Sequence, residues 1–449
     1  MKETDNLTRG SVGRVLFRFV LPYLLSCFLQ TFYGMADLFV VGLFNGPEVT
    51  AAVAAGSQVT HMLTVILVGL AMGATVMIGR AVGAGDESEA EKTVGTAAVL
   101  FSVFAVVLTV ILLLTARMIT GVLQTPPEAV GDTVVYLSIC FGGIPFIMAY
   151  NVISAVFRGA GDSRRPMYFA GAACMVNILL DFIFIGACHF GAAGAALGTV
   201  CGQAASVILA AVFLKKRALG FPVTRKSIRV DKKCLFGILR VGIPIAMQDG
   251  LIQVAFLIIT AIANSRGLVY ASGVGIVEKI ISFLFLVPSA FLAAISAITA
   301  QNMGAGKIQR ARHSLYYGLA ITVGWGIFCC LFSQFFPHML VGMFTRDRSV
   351  AAAGCDYLRA YSFDCIFAAV HFCFSGYFCG IGKAGLSFIH NIAAILLLRI
   401  PVAYLAIVYF PSTLYPMGWA APLGSFLSAV LCIIFYIIIS CNTLSEKRV

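Results

Sequence analysis

The sequence predicts an all-α polytopic membrane protein with twelve transmembrane helices arranged as two parallel six-helix repeats. Three observations carry this expectation: a composition too apolar for a water-facing surface, twelve long apolar runs, and a pattern that recurs 221 residues later. Hydrophobic residues make up 60% of the 449-residue chain and charged residues 11%, with a mean hydropathy of +0.97. A soluble domain carries about 25% charged residues because its surface must face water. The net charge of +12 therefore does not point to nucleic acid, since no basic stripe interleaved with aromatics accompanies it.

A spanning helix needs about 20 mostly apolar residues. Runs that meet this lie at 15–44, 50–82, 93–116, 133–157, 166–188, 192–214, 236–264, 271–303, 313–336, 351–380, 384–410 and 418–441. The first is too long for a signal-peptide core and reads as a retained span. Prolines 22, 145, 244, 288 and 401 lie inside these runs, where each removes a backbone donor and can kink its helix.

The cations order the topology. With the N-terminus in the cytoplasm and spans alternating, 24 of the 31 Lys and Arg fall on the cytoplasmic side and four on the other. The four are Arg117, Arg266, Arg346 and Arg348; Lys279, Arg359 and Arg399 fall inside spans. By the positive-inside rule both termini are expected in the cytoplasm.

The duplication appears in the loops. Arg80-Ala-Val-Gly-Ala-Gly-Asp86 recurs as Gln301-Asn-Met-Gly-Ala-Gly-Lys307, and Phe157-Arg-Gly-Ala-Gly-Asp162 as Phe378-Cys-Gly-Ile-Gly-Lys383. Tyr136-Leu137 recurs as Tyr357-Leu358, and Pro22 as Pro244. Six spans per half, an even number, make the halves parallel. The expected division is a first lobe at 1–214, a basic cytoplasmic linker at 215–235 and a second lobe at 236–449. The linker's cations serve as a topology anchor or as a contact for anionic lipid.

Ionisable groups at membrane depth are costly and mark candidate sites. Six of the 19 acids lie within the runs: Asp37, Asp181, Asp249, Glu278, Asp356 and Asp364. In the first lobe Gln30 and Asp37 are two helical turns apart and share a face, and Asn177 and Asp181 are one turn apart. Thr199 lies in the next span. These oxygens suit a hard cation such as Na⁺, and the two carboxylates equally suit a shared proton. A structural hydrogen-bond network that joins helices is the alternative. The repeat favours a coupling role, because Asp37, Asn177 and Asp181 align with Ile259, Leu398 and Val402, so a scaffold need common to both halves would not explain them. The second lobe carries Asp249, Glu278, Lys279, Asp364, His371 and Arg399 instead, with Asp249 and Arg399 as candidate charge partners.

The 14 cysteines are scattered with no zinc spacing and read as small packing residues. No phosphate cradle G-x-x-x-x-G-K-[ST], HExxH or nucleophile elbow is present. Neither an ATP-driven machine nor an enzyme is expected, no cofactor is called for, and no four-fold pore loop suggests a channel.

The string Gln30-Thr-Phe-Tyr-Gly-Met-Ala-Asp37-Leu-Phe-Val-Val-Gly42 resembles the first-span signature of the multidrug and toxic compound extrusion (MATE) family. So do Gly69-Leu-Ala-Met-Gly73 with Gly83-Ala-Gly-Asp86, Phe157-Arg-Gly-Ala-Gly-Asp162, and Gln301-Asn302-Met-Gly304-Ala-Gly306 with Arg310-Ala311. The resemblance implies two six-helix lobes forming a V around a central cavity, and secondary antiport in which H⁺ or Na⁺ enters while an organic, often cationic, compound leaves. It is similar to the DinF-like branch in particular. There the residues matching Asp37, Asn177, Asp181 and Thr199 form the cation-coupling site, with those matching Gln30, Tyr136 and Asn151 nearby. Another branch uses second-lobe acids, for which Glu278 and Asp364 are the candidate counterparts here, with Arg399 a further candidate for the substrate network. The expected protein is a drug/cation antiporter of a bacterial cytoplasmic membrane, acting as a monomer among membrane lipid on small organic cationic or amphipathic substrates. The rival reading is a lipid-linked precursor flippase of the same superfamily, which would favour a cavity rich in Lys and Arg.

Overall fold

Ten helices in the computed structural model are each long and apolar enough to cross a membrane, and two bent helix pairs bring the number to twelve if each pair is one span. The structure describes residues 7–123, 125–215, 219, 221 and 227–445. The linker cations Lys216, Arg217, Arg225 and Lys226, and the terminal Lys2, Lys447 and Arg448, lie outside the described residues.

The first six spans are α1 (Val12–Phe44), α2 (Pro47–Ala84), α3 (Glu87–Val122), the bent pair α4 (Val130–Gly142) and α5 (Ile144–Gly159), α6 (Arg164–Asp181) with its π-helical continuation Phe182–Ala187, and α7 (Gly191–Lys215). The next six begin with α8 (Lys232–Asn264), and with α9 (Leu268–Leu284) and α10 (Leu286–Gly304), which together make one span. They continue through α11 (Ile308–Phe335), the short α12 (Pro337–Gly342), the bent pair α13 (Arg348–Tyr361) and α14 (Asp364–Gly380), and α15 (Ala384–Ala394), which runs through a π-helical segment Ile395–Arg399 into α16 (Ile400–Tyr409). The short α17 (Tyr415–Gly418) and α18 (Ala420–Ser445) complete the last span. All described helices alternate with turns, and no strand occurs among the described residues.

The duplication is visible in the backbone. The bent pairs turn by 46° between α4 and α5 and by 47° between α13 and α14, and the breaks, at Gly143 and at Ser362–Phe363, lie about one repeat offset apart. In the first pair Pro145 occupies the opening turn of α5, where its missing N–H costs no helical bond. The second pair reaches the same angle without a proline.

Four glycines in the repeated loops have positive φ: Gly85 (74°), Gly161 (96°), Gly306 (71°) and Gly382 (74°). Each closes a helix in the same way. The Gly85 N–H donates to the Val82 carbonyl and the Asp86 N–H to the Ala81 carbonyl; the other three loops repeat this as Gly161–Arg158 with Asp162–Phe157, Gly306–Met303 with Lys307–Asn302, and Gly382–Cys379 with Lys383–Phe378. This double bond is the Schellman stop, and its left-handed residue is best filled by glycine. The second glycine of each repeated loop motif is thus a helix terminator. The residue after it starts the next helix where it is acidic: Asp86 Oδ1 accepts from the Glu89 N–H at 2.8 Å, and Asp162 Oδ1 accepts from the Arg164 N–H at 2.9 Å.

By contact the chain forms two compact units. One comprises Met1–Gly10, Phe17–Ala246 and Ala300–Lys307; the other comprises Ser11–Leu16, Met247–Thr299 and Ile308–Val449. The contact boundary therefore differs from the repeat boundary, because the first unit incorporates the opening of α8 and the end of α10. Glycines make those joins close. A Cβ on Gly83 would overlap the Gln301 carbonyl oxygen, and one on Gly304, its repeat equivalent, would overlap the Arg80 carbonyl oxygen. The Gln301 amide donates to the Gly159 carbonyl at 2.8 Å, and Lys307 Nζ to the Thr8 carbonyl at 3.0 Å.

The cores are apolar and the outward sides are apolar too. In the first unit Leu67, Ile78, Leu137, Phe141, Phe157 and Phe169 pack together; in the second Val274, Val277, Tyr357, Leu358 and Ala403 do the same. The α3 window of mean hydropathy 3.0 is only 17% buried, with Val103, Val107, Leu114 and Val122 exposed. Such a helix, hydrophobic on all sides, is a membrane span facing lipid.

Gly83→Val is expected to destabilise the protein by about 3 kcal/mol, because a backbone carbonyl cannot swing aside as a side chain can. Gly85→Ala meets no atom within 4 Å and is expected to cost about 1–2 kcal/mol through left-handed strain alone. Melting temperatures of the purified variants in detergent check the ranking.

Candidate functional site

Three helices of the first unit bring polar side chains together. α1 supplies Gln30, Tyr33 and Asp37, α6 supplies Asn177 and Asp181, and α7 supplies Thr199 and Gln203. Asp37, Asn177, Asp181, Thr199 and Gln203 are each no more than 7% exposed. The Thr199 hydroxyl donates to Asp37 Oδ2 at 2.9 Å. Asp37 also lies close enough to Asp181 and Asn177 for direct electrostatic interaction. All four residues expected for cation coupling therefore meet in one place.

The approach of α7 to α6 makes this possible. Gly194, Gly198 and Gly202 form a stripe at four-residue spacing along α7. A Cβ on Gly194 would lie 3.1 Å from the Phe184 carbonyl carbon, one on Gly198 would overlap Asp181 Oδ1, and one on Gly202 would lie 2.9 Å from the Ala173 carbonyl oxygen. Small residues at this spacing let helix backbones approach in a membrane. Asp181 is the last α-helical residue before the π-helical turn Phe182–Ala187, a local feature that recurs at functional sites.

The cluster is rich in acceptors. Asp37 Oδ1, both carboxylate oxygens of Asp181, Asn177 Oδ1 and Gln203 Oε1 are buried without a hydrogen-bond partner. An unpaired buried carboxylate is expensive, and the chemistry of these oxygens suits a proton or a hard cation that takes oxygen ligands.

The residues expected nearby fall into place unequally. Gln30 Nε2 donates to the Tyr150 hydroxyl at 2.8 Å. Tyr136 is 1% exposed, within electrostatic reach of Asp37, and its ring packs on Gly56. Asn151 Nδ2 instead donates to the Ile147 carbonyl of its own helix at 2.8 Å. Tyr33 and Gln203, which donates to the Tyr33 hydroxyl at 3.2 Å, were not singled out from sequence. Both follow from the one-turn rule already applied to Asn177 and Asp181, since Tyr33 precedes Asp37 by four and Gln203 follows Thr199 by four.

The second unit holds its charges differently. Arg399 pairs with Asp364 at 3.3 Å, which corrects the expected partnership with Asp249. Asp249 receives only a 3.5 Å contact from Gln248 Nε2. Asp364 is the first residue of α14 and Arg399 the last of the π-helical segment, and Asp364 is the acid within reach of the guanidinium. The Arg399 guanidinium also donates to the Ser425 hydroxyl at 3.1 Å, which lies 3.4 Å from His371 Nε2. The His371 ring lies 5.7 Å from that of His390, and His390 is held by Ser375 and Ser428 at 3.0 and 3.2 Å. Glu278 lies 3.4 Å from the Thr260 hydroxyl and shares electrostatic reach of Tyr357 and Tyr361 with Asp364 and Arg399, and Asp356 accepts from Thr413 at 3.0 Å. Lys279 and Arg359 are exposed.

A duplicated set of ten to twelve apolar spans with carboxylates buried among them defines a polytopic membrane protein with a polar interior site. The chain belongs to the MATE family of multidrug transporters: the family model MatE matches residues 22–183 and again 244–405, the same offset of about 221 residues seen in the loops. It is 27% identical over 352 residues to the probable multidrug resistance protein YoeA of Bacillus subtilis, covering 77% of this chain and 76% of that one. It is 25% identical over 430 residues to the probable multidrug resistance protein NorM of Thermotoga maritima, covering 94% and 90%. The fold matches a MOP superfamily transporter from Pyrococcus furiosus with a TM-score of 0.92 at 23% identity, over 98% of both chains.

Two pairs of variants test the geometry. Gly198→Ala drives a methyl into Asp181 and is expected to reduce export several-fold with little loss of stability, whereas Gly275→Ala, with nothing within 4 Å, leaves export unchanged. Asp364→Ala strands a buried Arg399 and is expected to cost about 3–5 kcal/mol. The double variant Asp364→Ala/Arg399→Leu recovers most of that cost, as read by thermal unfolding.

Proposed function

We propose that this protein is a secondary antiporter that exports small organic cations, or amphipathic compounds, against inward flow of H⁺ or Na⁺. The observation that carries the reading is the buried Asp37–Asn177–Asp181–Thr199 cluster, with its unpaired acceptor oxygens and no neutralising cation. Its coupling role follows from linkage. A proton or Na⁺ bound at the Asp37–Asp181 pair shifts the balance between two helix arrangements only as far as it binds them differently. Discharging the carboxylates removes their attraction for a cationic substrate, so ion entry and substrate release are alternatives at one place. The Thr199 hydroxyl and Asn177 amide orient the carboxylates for either ion.

The names of the relatives, multidrug resistance proteins of two bacteria, support a broad substrate range and a place in the bacterial cytoplasmic membrane. The cation distribution supports both termini in the cytoplasm. The flippase reading is not favoured, since it asks for a cavity rich in Lys and Arg to meet an anionic headgroup, and the buried, unpaired Arg158 does not by itself make one. Of the three cations assigned to spans, Lys279 and Arg359 are exposed and Arg399 is bound to Asp364.

The test is transport in proteoliposomes under an imposed pH or Na⁺ gradient, with fluorescent organic cations as substrates. Asp37→Asn and Asp181→Asn are each expected to lower gradient-driven efflux at least tenfold at normal expression. Gradient-driven efflux at the parental rate in both variants would sink the mechanism.

A further inference from the structure

The first unit buries a second charge that the coupling cluster does not use. Arg158 stands in the last turn of α5 and is 4% exposed, although its loop-edge position in the sequence suggested a cytoplasmic anchor. Its guanidinium lies over the Tyr23 ring at 5.3 Å, and its Nε and Nη2 have no hydrogen-bond partner. None of the ion pairs among the described residues includes it. The contrast with Arg399, neutralised by Asp364, is direct.

What surrounds Arg158 is a set of donors. Ser154, one turn earlier on the same face of α5, is 1% exposed. Its hydroxyl neighbours that of Tyr150 but makes no hydrogen bond of ordinary geometry. The titratable groups that feel its charge include Tyr23, Cys27 and Tyr150, and no carboxylate among the described residues forms an ion pair with it. The last-turn carbonyls of α5 offset roughly half a charge, and the Tyr23 ring adds a cation–π contact. The remainder of a full positive charge is left in a buried pocket of N–H and O–H groups.

We infer that Arg158, Ser154 and the hydroxyls of Tyr23 and Tyr150 form a binding site for a small inorganic monoanion of the halide class. A single charge suits a single guanidinium, whereas a dianion would bring a net negative charge into the same burial. Charge-assisted N–H bonds are about twice as strong as neutral ones, and the two free guanidinium N–H groups with the Ser154 hydroxyl provide three donors on one side. The site is one-sided like the carboxylate cluster: at the repeat offset Arg158 corresponds to Cys379 and Tyr150 to His371. It stands independently of the ion coupling proposed above.

The experiment uses the full chain purified in detergent, titrated with sodium chloride, sodium bromide or sodium gluconate at matched concentration. Chloride and bromide are expected to raise the melting temperature along a saturating curve that gluconate does not reproduce. A bromide anomalous peak is expected beside Arg158 in crystals. Arg158→Gln should abolish the saturating rise, and Ser154→Ala should weaken the halide midpoint several-fold. If Arg158→Gln does not fold, Arg158→Lys, expected to keep a weaker response, and Ser154→Ala carry the test. Identical halide and gluconate curves, a saturating halide response surviving in Arg158→Gln, or bromide bound only elsewhere would each overturn the assignment. So would stabilisation by phosphatidylglycerol micelles with none by halide, which would make the anion a lipid phosphate.

Discussion

A charge at membrane depth must be neutralised, bonded or put to use, and most of this structure's polar architecture follows from that constraint. The second unit meets it by pairing: Arg399 reaches Asp364, and serines extend the contact to two histidines. The first unit meets it by proximity of like groups, two carboxylates with an amide and a hydroxyl, which leaves acceptor oxygens over. The two solutions occupy different positions in a duplicated scaffold. Both acquire a π-helical turn at the charge, directly after Asp181 and directly before the end of Arg399's segment.

The duplication explains the scaffold economically. Four loops end their helices with the same pair of backbone bonds at a left-handed glycine, and two kinked spans bend by nearly the same angle. The glycine-rich motifs are thus accounted for by backbone geometry, and no ligand is needed to explain them. The buried charges stand where the repeats differ: Asp37 against Ile259, Asp181 against Val402, Arg158 against Cys379.

The spans were legible in the sequence because a lipid-facing helix writes itself in long apolar runs, as α3 does with Leu114 and Val122. The meeting of Asp37, Asn177, Asp181 and Thr199 was also legible, from one-turn and two-turn spacing together with the family resemblance. Other features were not. The partner of Arg399 depends on how helices meet, which spacing along one helix does not mark, so Asp249 looked as good as Asp364. The bend at Gly143 had a signal in Gly142-Gly143-Ile144-Pro145, but its twin at Ser362-Phe363 has no proline. Arg158 counted as a loop cation because hydropathy places a residue along the span and says nothing of the direction its side chain takes.

One feature of the contact map bears on the order of synthesis. The first unit includes the opening of α8 and residues Ala300–Lys307, which reach it through glycine-lined crossings. A chain emerging N-terminus first presents its first six spans long before it presents residue 300. Helices α1, α6 and α7, which carry the carboxylate cluster, can assemble early, but the unit that holds them is completed only after two further spans, α8 and α9–α10, have been made. A half-length chain ending at residue 214 is therefore an unfinished unit, and two-domain protection against truncation, common in soluble duplications, is not available to this protein.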